Sequence, residues 1–238
     1  MSNAPYMYVL IFIGFMVAVY LLKKFNQGVI DNGVATAKAA SKMPELAQVL
    51  GLKYEDTSMQ EKDKKTIMDT GERISGEYEG MALEIVMANN TQHMDGKDVP
   101  FGYTQGFTSK TQKTIKLTVS NPDKKKFHIS PKSSHVVAAP TGNGSFDGKL
   151  MLTGDKIVSD ALLGEFGDMG WMDLKLEGNT LLFNDSFYEQ FTGLNAMKMM
   201  STTHPIWRTS ATNWSIDVHA VKAFIDKLVD FAKKEKLV

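Results

Sequence analysis

The chain has 238 residues, 27 basic against 27 acidic, with 43% hydrophobic and 23% charged side chains, which is the composition of a folded protein. Balanced charge supplies no global field to draw in nucleic acid, so no nucleic-acid partner is expected. The absence of cysteine excludes a disulfide scaffold, a thiol nucleophile, a Cys-ligated zinc and an iron–sulfur cluster.

The apolar residues are concentrated at the start. Tyr6 to Leu22 is a run of 17 residues without a charge. As a helix it covers ~26 Å of hydrocarbon, and Lys23 and Lys24 can snorkel to the headgroups to complete a span. Tyr6 and Tyr8 at one end and Tyr20 at the other stand where aromatic belts form, and Gly14 and Ala18 make a small-xxx-small pair suited to helix packing. A cleaved signal peptide fits less well, because no basic residue precedes the run and no small-x-small site closes it. A buried core helix would carry a polar stripe, which is missing. The lysines that follow the run, Lys23, Lys24, Lys38 and Lys42, set the orientation. The expectation is a transmembrane anchor at 1–24 in a cell inner membrane, with the N-terminus outside and a cytoplasmic body. The lipid bilayer is therefore an expected partner.

Residues 25–43 are rich in Ala, Gly and Asn and are read as a juxtamembrane stalk. Pro44 suits the first turn of a short helix whose face holds Leu46, Val49 and Leu50 and which Gly51 closes in a left-handed cap. The charged stretch 55–65 reads as a solvated loop or helix face. From Gly71 the period becomes two: Ile74, Gly76 and Tyr78 precede Gly80, and Leu83, Ile85 and Met87 follow, which predicts a hairpin. Residues 89–111 show no period and are expected to be a long excursion. Ile115, Leu117 and Val119 alternate again, and Asn121-Pro122-Asp123 is read as the turn of a second hairpin, into Phe127 and Ile129. A loop at 131–148, a strand at 150–153 and a short helix at about 159–164 are expected next. Met172, Leu174 and Leu176 turn through Gly178-Asn179 into Leu181 to Phe183. Val218, Val221, Ile225, Leu228 and Ala232 then repeat at three and four, an amphipathic helix with Ser215 placed as its cap. The fold class is α+β: a transmembrane helix followed by an antiparallel β-rich domain, 44–238, covered by the C-terminal helix.

The pieces MPELAQVLGLKY, ISGEYEG, FDGKLMLTGDK and the closing helix, in that order, resemble uncharacterised bacterial families of membrane-tethered proteins. The resemblance implies a tethered α+β module and supplies no reaction and no site residues. Gly76, Gly80 and Gly148 read as tight-turn or close-packing positions.

Known chemical signatures are missing. GNGSFDGKL at 142–150 approaches a phosphate loop, but Asn143 and Leu150 break the pattern, and it reads as a solvent loop. His93, His128, His135, His204 and His219 form no i, i+4 pair and have no companion carboxylate at ligand spacing, so each is read as a surface residue and no cofactor is expected. Lys124 to Lys126 read as a solvated turn. The unusual segment is 187–214, where Met197, Met199, Met200, Trp207 and Trp214 surround a lone Arg208. Methionine, tryptophan and arginine together mark adaptable contact surfaces, so these six are the expected partner-binding residues. The sequence points to a non-catalytic, single-pass accessory or scaffolding subunit of a larger integral membrane protein complex. The alternative is a tethered domain that binds a lipid or small ligand.

Overall fold

The computed structural model describes residues 12–21, 24, 41–58, 66–93, 106–133, 138–156, 160–169, 172–185, 187–192 and 216–238. In chain order these form α1 (Met43–Leu50), β1 (Lys53–Asp56), β2 (Thr66–Tyr78), β3 (Met81–His93), β4 (Gly106–Thr118), β5 (Phe127–Pro131), α2 (Gly144–Lys149), β6 (Leu150–Gly154), α3 (Asp160–Met169), β7 (Leu174–Glu177), β8 (Thr180–Asn184), β9 (Phe187–Thr192) and α4 (Val218–Lys234). The strands make one antiparallel sheet in the order β1-β2-β3-β4-β8-β7-β5-β6, with β9 also on β4. The expected α+β architecture with a C-terminal covering helix is therefore present.

Three strands dominate the sheet. β2, β3 and β4 are 13 residues each, and β8 and β9 lie one after the other along β4 without a change of register, since Thr114 faces Asn184 and Thr111 faces Phe187. The wide half carries β1 on one side and β7, β5 and β6 on the other. The remaining half, 66–71, 88–93 and 106–112 with β9, has no further strand beside it among the described residues and projects as an arm of ~20 Å.

Both covering helices lie on the inner face of the wide half and run in the same direction. α1 starts where the Ser41 hydroxyl bonds Glu72 and ends where Leu52 packs on Gly76. Its buried residues Met43, Leu46, Ala47 and Leu50 fall at helical spacing, Pro44 occupies its first turn and Gly51 closes it in the left-handed conformation. Val49, expected on the buried face, points outward, and Ala47 takes its place. In α4, Phe224 meets Phe183 edge-on at 4.8 Å, Phe231 meets Phe127 at 5.6 Å, and Lys233 reaches Glu79 beside the β2–β3 turn. All five residues of the predicted stripe of α4 are buried. The four larger ones each contribute on the order of 1.5–3 kcal/mol of apolar burial, and the Ala232 methyl about 0.8 kcal/mol. Its cap is Asp217, whose carboxylate accepts the Ala220 N–H. Ser215, the predicted cap, lies outside the described residues.

The β2–β3 and β7–β8 hairpins form as the alternation predicts. At the first, Glu79 and Gly80 both take positive φ (53° and 80°), the two-residue turn that matches strand twist. The predicted hairpin between β4 and β5 does not form. The β7–β8 hairpin is inserted between them, so β4 pairs with β8 and β5 with β7. The Asn121 turn exists, but it carries the chain across the end of that inserted hairpin: the Asn121 amide donates to the Gly178 carbonyl and Val119 N–H to that of Asn179. Alternation shows that a segment is a strand and leaves its neighbour open.

Other expectations are corrected as well. Much of 89–111 is strand, since β3 continues to His93 and β4 begins at Gly106. Residues 53–56, partly within the expected solvated stretch, form edge strand β1. The expected loop at 131–148 contains α2, capped by Asn143, whose side chain accepts the Phe146 N–H. That turn buries Phe146, so the broken phosphate-loop segment is core-forming rather than a solvent loop. α3 extends to Met169, beyond the expected end. Of the three glycines singled out, Gly80 is in the turn and Gly76 accommodates Leu52, whereas nothing lies within 4 Å of a Cβ at Gly148.

Residues 12–21 are helical, and every apolar side chain there is exposed, for example Phe12 at 65% and Leu21 at 56%. Among the described residues no helix is long and apolar enough to cross a membrane. Gly14, Ala18 and Tyr20 stand in this helix and Lys24 just beyond it, while Tyr6, Tyr8 and Lys23 lie outside the described residues.

Candidate functional site

The inner face of the sheet changes character at one level. A fully buried row, Ile74, Ile85, Ile115 and Phe183, crosses β2, β3, β4 and β8 in register. Two residues toward the arm the same positions are Glu72, Met87, Lys113 and Asp185, and all four are buried. Asp56 of β1 extends the row opposite Glu72. Three charges, on Glu72, Lys113 and Asp185, are thus set into the core face where the helical cover begins, while Asp56 at the edge is exposed.

Each charge is held by its surroundings. Glu72 accepts the Ser41 hydroxyl at 2.7 Å and the Tyr54 hydroxyl at 2.9 Å. Burial, and then the bond to this carboxylate, push the Tyr54 phenol above its ordinary pKa. Ser41, the last hydroxyl of the expected stalk, is in this way fastened to the sheet. Lys113 is 4% exposed, and burial pulls its amine from 10.5 down to about 8, against the opposing pull of the Asp185 carboxylate. Asp185 continues the β4–β8 register opposite Lys113, and its N–H donates to the Lys113 carbonyl at 2.8 Å. Buried titratable groups with displaced pKa values are functional candidates, although structural pairs share that property. Sequence reading missed this row, yet the signal was there: Lys113 is in phase with Ile115, Leu117 and Val119.

The outer face bears a second polar group. His128 Nε2 lies 2.7 Å from Asp173 Oδ1, and the Asn184 amide donates to the other oxygen at 3.2 Å. His128 therefore does have a companion carboxylate, contributed from β7's approach and invisible to local spacing. His219 is exposed as expected, and the side chains of the other three histidines are outside the described residues. Among the described residues no group of three or more His, Asp or Glu is arranged to hold a metal ion. Lys125 is not a solvated turn residue: its amine donates to the Glu235 carbonyl at 2.9 Å and pairs with the buried Glu235 carboxylate at 3.4 Å. Asp147, in the broken phosphate-loop segment, accepts Thr141 N–H, Thr141 hydroxyl and Gly142 N–H. Against its burial, these bonds hold its carboxyl below the usual range. A carboxylate of the chain itself thus fills the anion-binding concavity formed by the backbone of that loop.

The six expected partner-binding residues, Met197, Met199, Met200, Trp207, Arg208 and Trp214, lie outside the described residues. The chain that contains them leaves β9 at the arm tip and rejoins at Ile216, directly before α4. No family model matches the chain, and comparison with curated proteins and with solved structures gave no match.

Proposed function

We propose that this protein is a non-catalytic, single-pass accessory or scaffolding subunit of a larger membrane protein complex. In this reading an N-terminal helix holds the α+β domain on the cytoplasmic side of an inner membrane. One observation carries it: the helix at 12–21 exposes apolar side chains all round and leaves none of them buried against the domain. Such a helix needs an apolar environment from elsewhere, and the uncharged run 6–22 has the length for a bilayer. The wide half of the sheet is filled with its own side chains, and the charged groups described are engaged with one another, as suits a rigid binding body.

The test is fractionation followed by native mass spectrometry. The chain is expected to stay with membranes through an alkaline carbonate wash and to emerge in mild detergent with stoichiometric protein partners. Release by the wash would remove the anchor, and a lone chain in mild detergent would remove the scaffold.

A further inference from the structure

We propose that β6 is a pairing edge, and that a second copy of this chain adds its own β6 there, antiparallel, about a two-fold axis at Leu152. This goes beyond the membrane reading above and does not depend on it.

A strand at the border of a sheet offers a row of N–H and C=O groups to another strand, and charges on that strand discourage the pairing. Among the described residues the border strands differ in this respect. β1 carries Lys53, Glu55 and Asp56, the part of β2 beyond β1 carries Asp69, and β9 carries Glu189. β6, Leu-Met-Leu-Thr-Gly, carries none. Two bonds fix which of its backbone groups face outward. Asp155 N–H donates to the Lys126 carbonyl and Lys132 N–H to the Lys149 carbonyl, so the odd-numbered residues from Lys149 to Asp155 bond toward β5. Leu150, Leu152 and Gly154 therefore aim their backbone groups away from the sheet, apart from the Leu150 N–H, which donates to the Phe146 carbonyl at the end of α2.

The segment from Lys149 to Asp155 is complementary to itself when reversed about Leu152. Leu152 then lies opposite Leu152 of the second copy and the two exchange N–H···O bonds, while the Gly154 N–H of each copy meets the Leu150 carbonyl of the other. The Leu150 N–H, already engaged, is not needed. The same register puts Met151 opposite Thr153 on the outer face and Lys149 opposite Asp155, an opposite-charge pair that the symmetry forms twice. Both charged residues are exposed. The Lys149 amine spends one N–H on the Gly167 carbonyl at 3.1 Å, and the Asp155 carboxylate accepts the Lys126 N–H on one oxygen, so donors and an acceptor remain for the pair. A slip of two residues would set Lys149 opposite Thr153, or Asp155 opposite Met151, and lose both pairs. The edge thus selects an uncharged strand with a cation before it and an anion after it, and the chain's own β6 is such a strand.

The chain lacks cysteine, so disulfide trapping can report the register in the full-length protein in mild detergent. Met151→Cys and Thr153→Cys are made separately, with tags of different size, then mixed and oxidised. Opposed positions have Cα atoms ~4.5 Å apart, within disulfide reach, whereas the same position in the two copies is diagonal at ~7–8 Å and beyond it. A disulfide between the two variants, with little in either variant alone, is the expected result. No linkage in the mixture, or equal linkage in each variant alone, overturns the pairing. As much linkage in a mixture of Lys53→Cys and Glu55→Cys overturns the choice of edge. Sedimentation of the cysteine-free chain needs neither variant and stands if one of them misfolds. Lys149→Asp should shift dimer toward monomer, and adding Asp155→Lys should shift it back. A monomeric wild-type chain overturns the pairing, and a dimer indifferent to Lys149→Asp overturns the register.

Discussion

Replacing the buried amine at Lys113 by methionine keeps the length of the side chain and removes the positive charge on which the Asp185 carboxylate acts. The lowered amine pKa already includes the attraction of Asp185, so at pH 7 the charge on Lys113 is a net cost and Lys113→Met should not be strongly destabilising there. Combining it with Asp185→Leu removes the second charge too, and the double variant should equal wild-type stability or exceed it by ~1–4 kcal/mol. The pH dependence has a definite sign. Folding lowers the amine from 10.5 to about 8, so between these values the unfolded chain binds more protons and wild-type stability rises with pH. At ~1.4 kcal/mol per pKa unit the cost of burying the charge is ~3 kcal/mol, fully present below pH 8 and gone above 10.5. Urea unfolding of the full-length protein in mild detergent at pH 7 and pH 9.5 should show wild type gaining ~2 kcal/mol relative to either variant. A difference that does not change with pH would refute the argument, because Lys113 would then not titrate in that window.

Leu228→Ala removes a side chain that is 1% exposed and should cost ~2–5 kcal/mol, seen as a lower urea midpoint. Gly154→Ala should cost ~1–3 kcal/mol or more, because φ is +91° there and a Cβ would strike the Lys126 carbonyl; unchanged melting would refute the close approach. Asp226 accepts bonds from the Tyr78 hydroxyl and the Lys222 amine, and against its burial the Lys222 bond holds its carboxyl below 3.8. The stability it adds should be present above pH 3.8 and be lost as pH falls through the lower folded value, and Asp226→Asn should flatten that part of the acid-unfolding curve. Trp207→Ala should weaken retention of co-purifying proteins by ~2 kcal/mol or more while leaving melting unchanged, whereas loss of melting temperature would place Trp207 in the core.

Local patterns reported local structure well. Ile74 to Met87 and Met172 to Phe183 read as hairpins because alternation and a two-residue turn are both written within about 15 residues. α4 read as a helix because its five apolar residues keep their spacing over four turns. The failures concern pairing at a distance. Val119 to Phe127 has every mark of a turn, yet whether β5 returns to β4 depends on β7 and β8, some 50 residues later. Strand 89–93 escaped because Asn-Asn-Thr-Gln-His has no apolar alternation, and its place in the sheet rests on the backbone ladder to β2 and β4. His128 and Asp173 likewise meet only because β5 and β7 are neighbours.

The charged row has a further consequence for how this sheet finds its register. Alternation along β4 fixes which face is inward, since a slip of one residue would turn Ile115 and Leu117 outward. It does not exclude a slip of two, which restores the same faces. Lys113 and Asp185 oppose it. Sliding β4 by two residues along β8 and β9 would set Asp185 opposite Ile115 or Thr111 and move the buried carboxylate away from the Lys113 amine. Its cost, ~3–5 kcal/mol, is a large part of a domain's net stability. The two charges therefore lower the stability of the native state slightly and that of the slipped states by much more. The variant lacking both charges should then be as stable as wild type, but β4 and β9 should lose amide-exchange protection before α4 does. Equal protection across the three elements in that variant would assign register to the arm's backbone ladder alone.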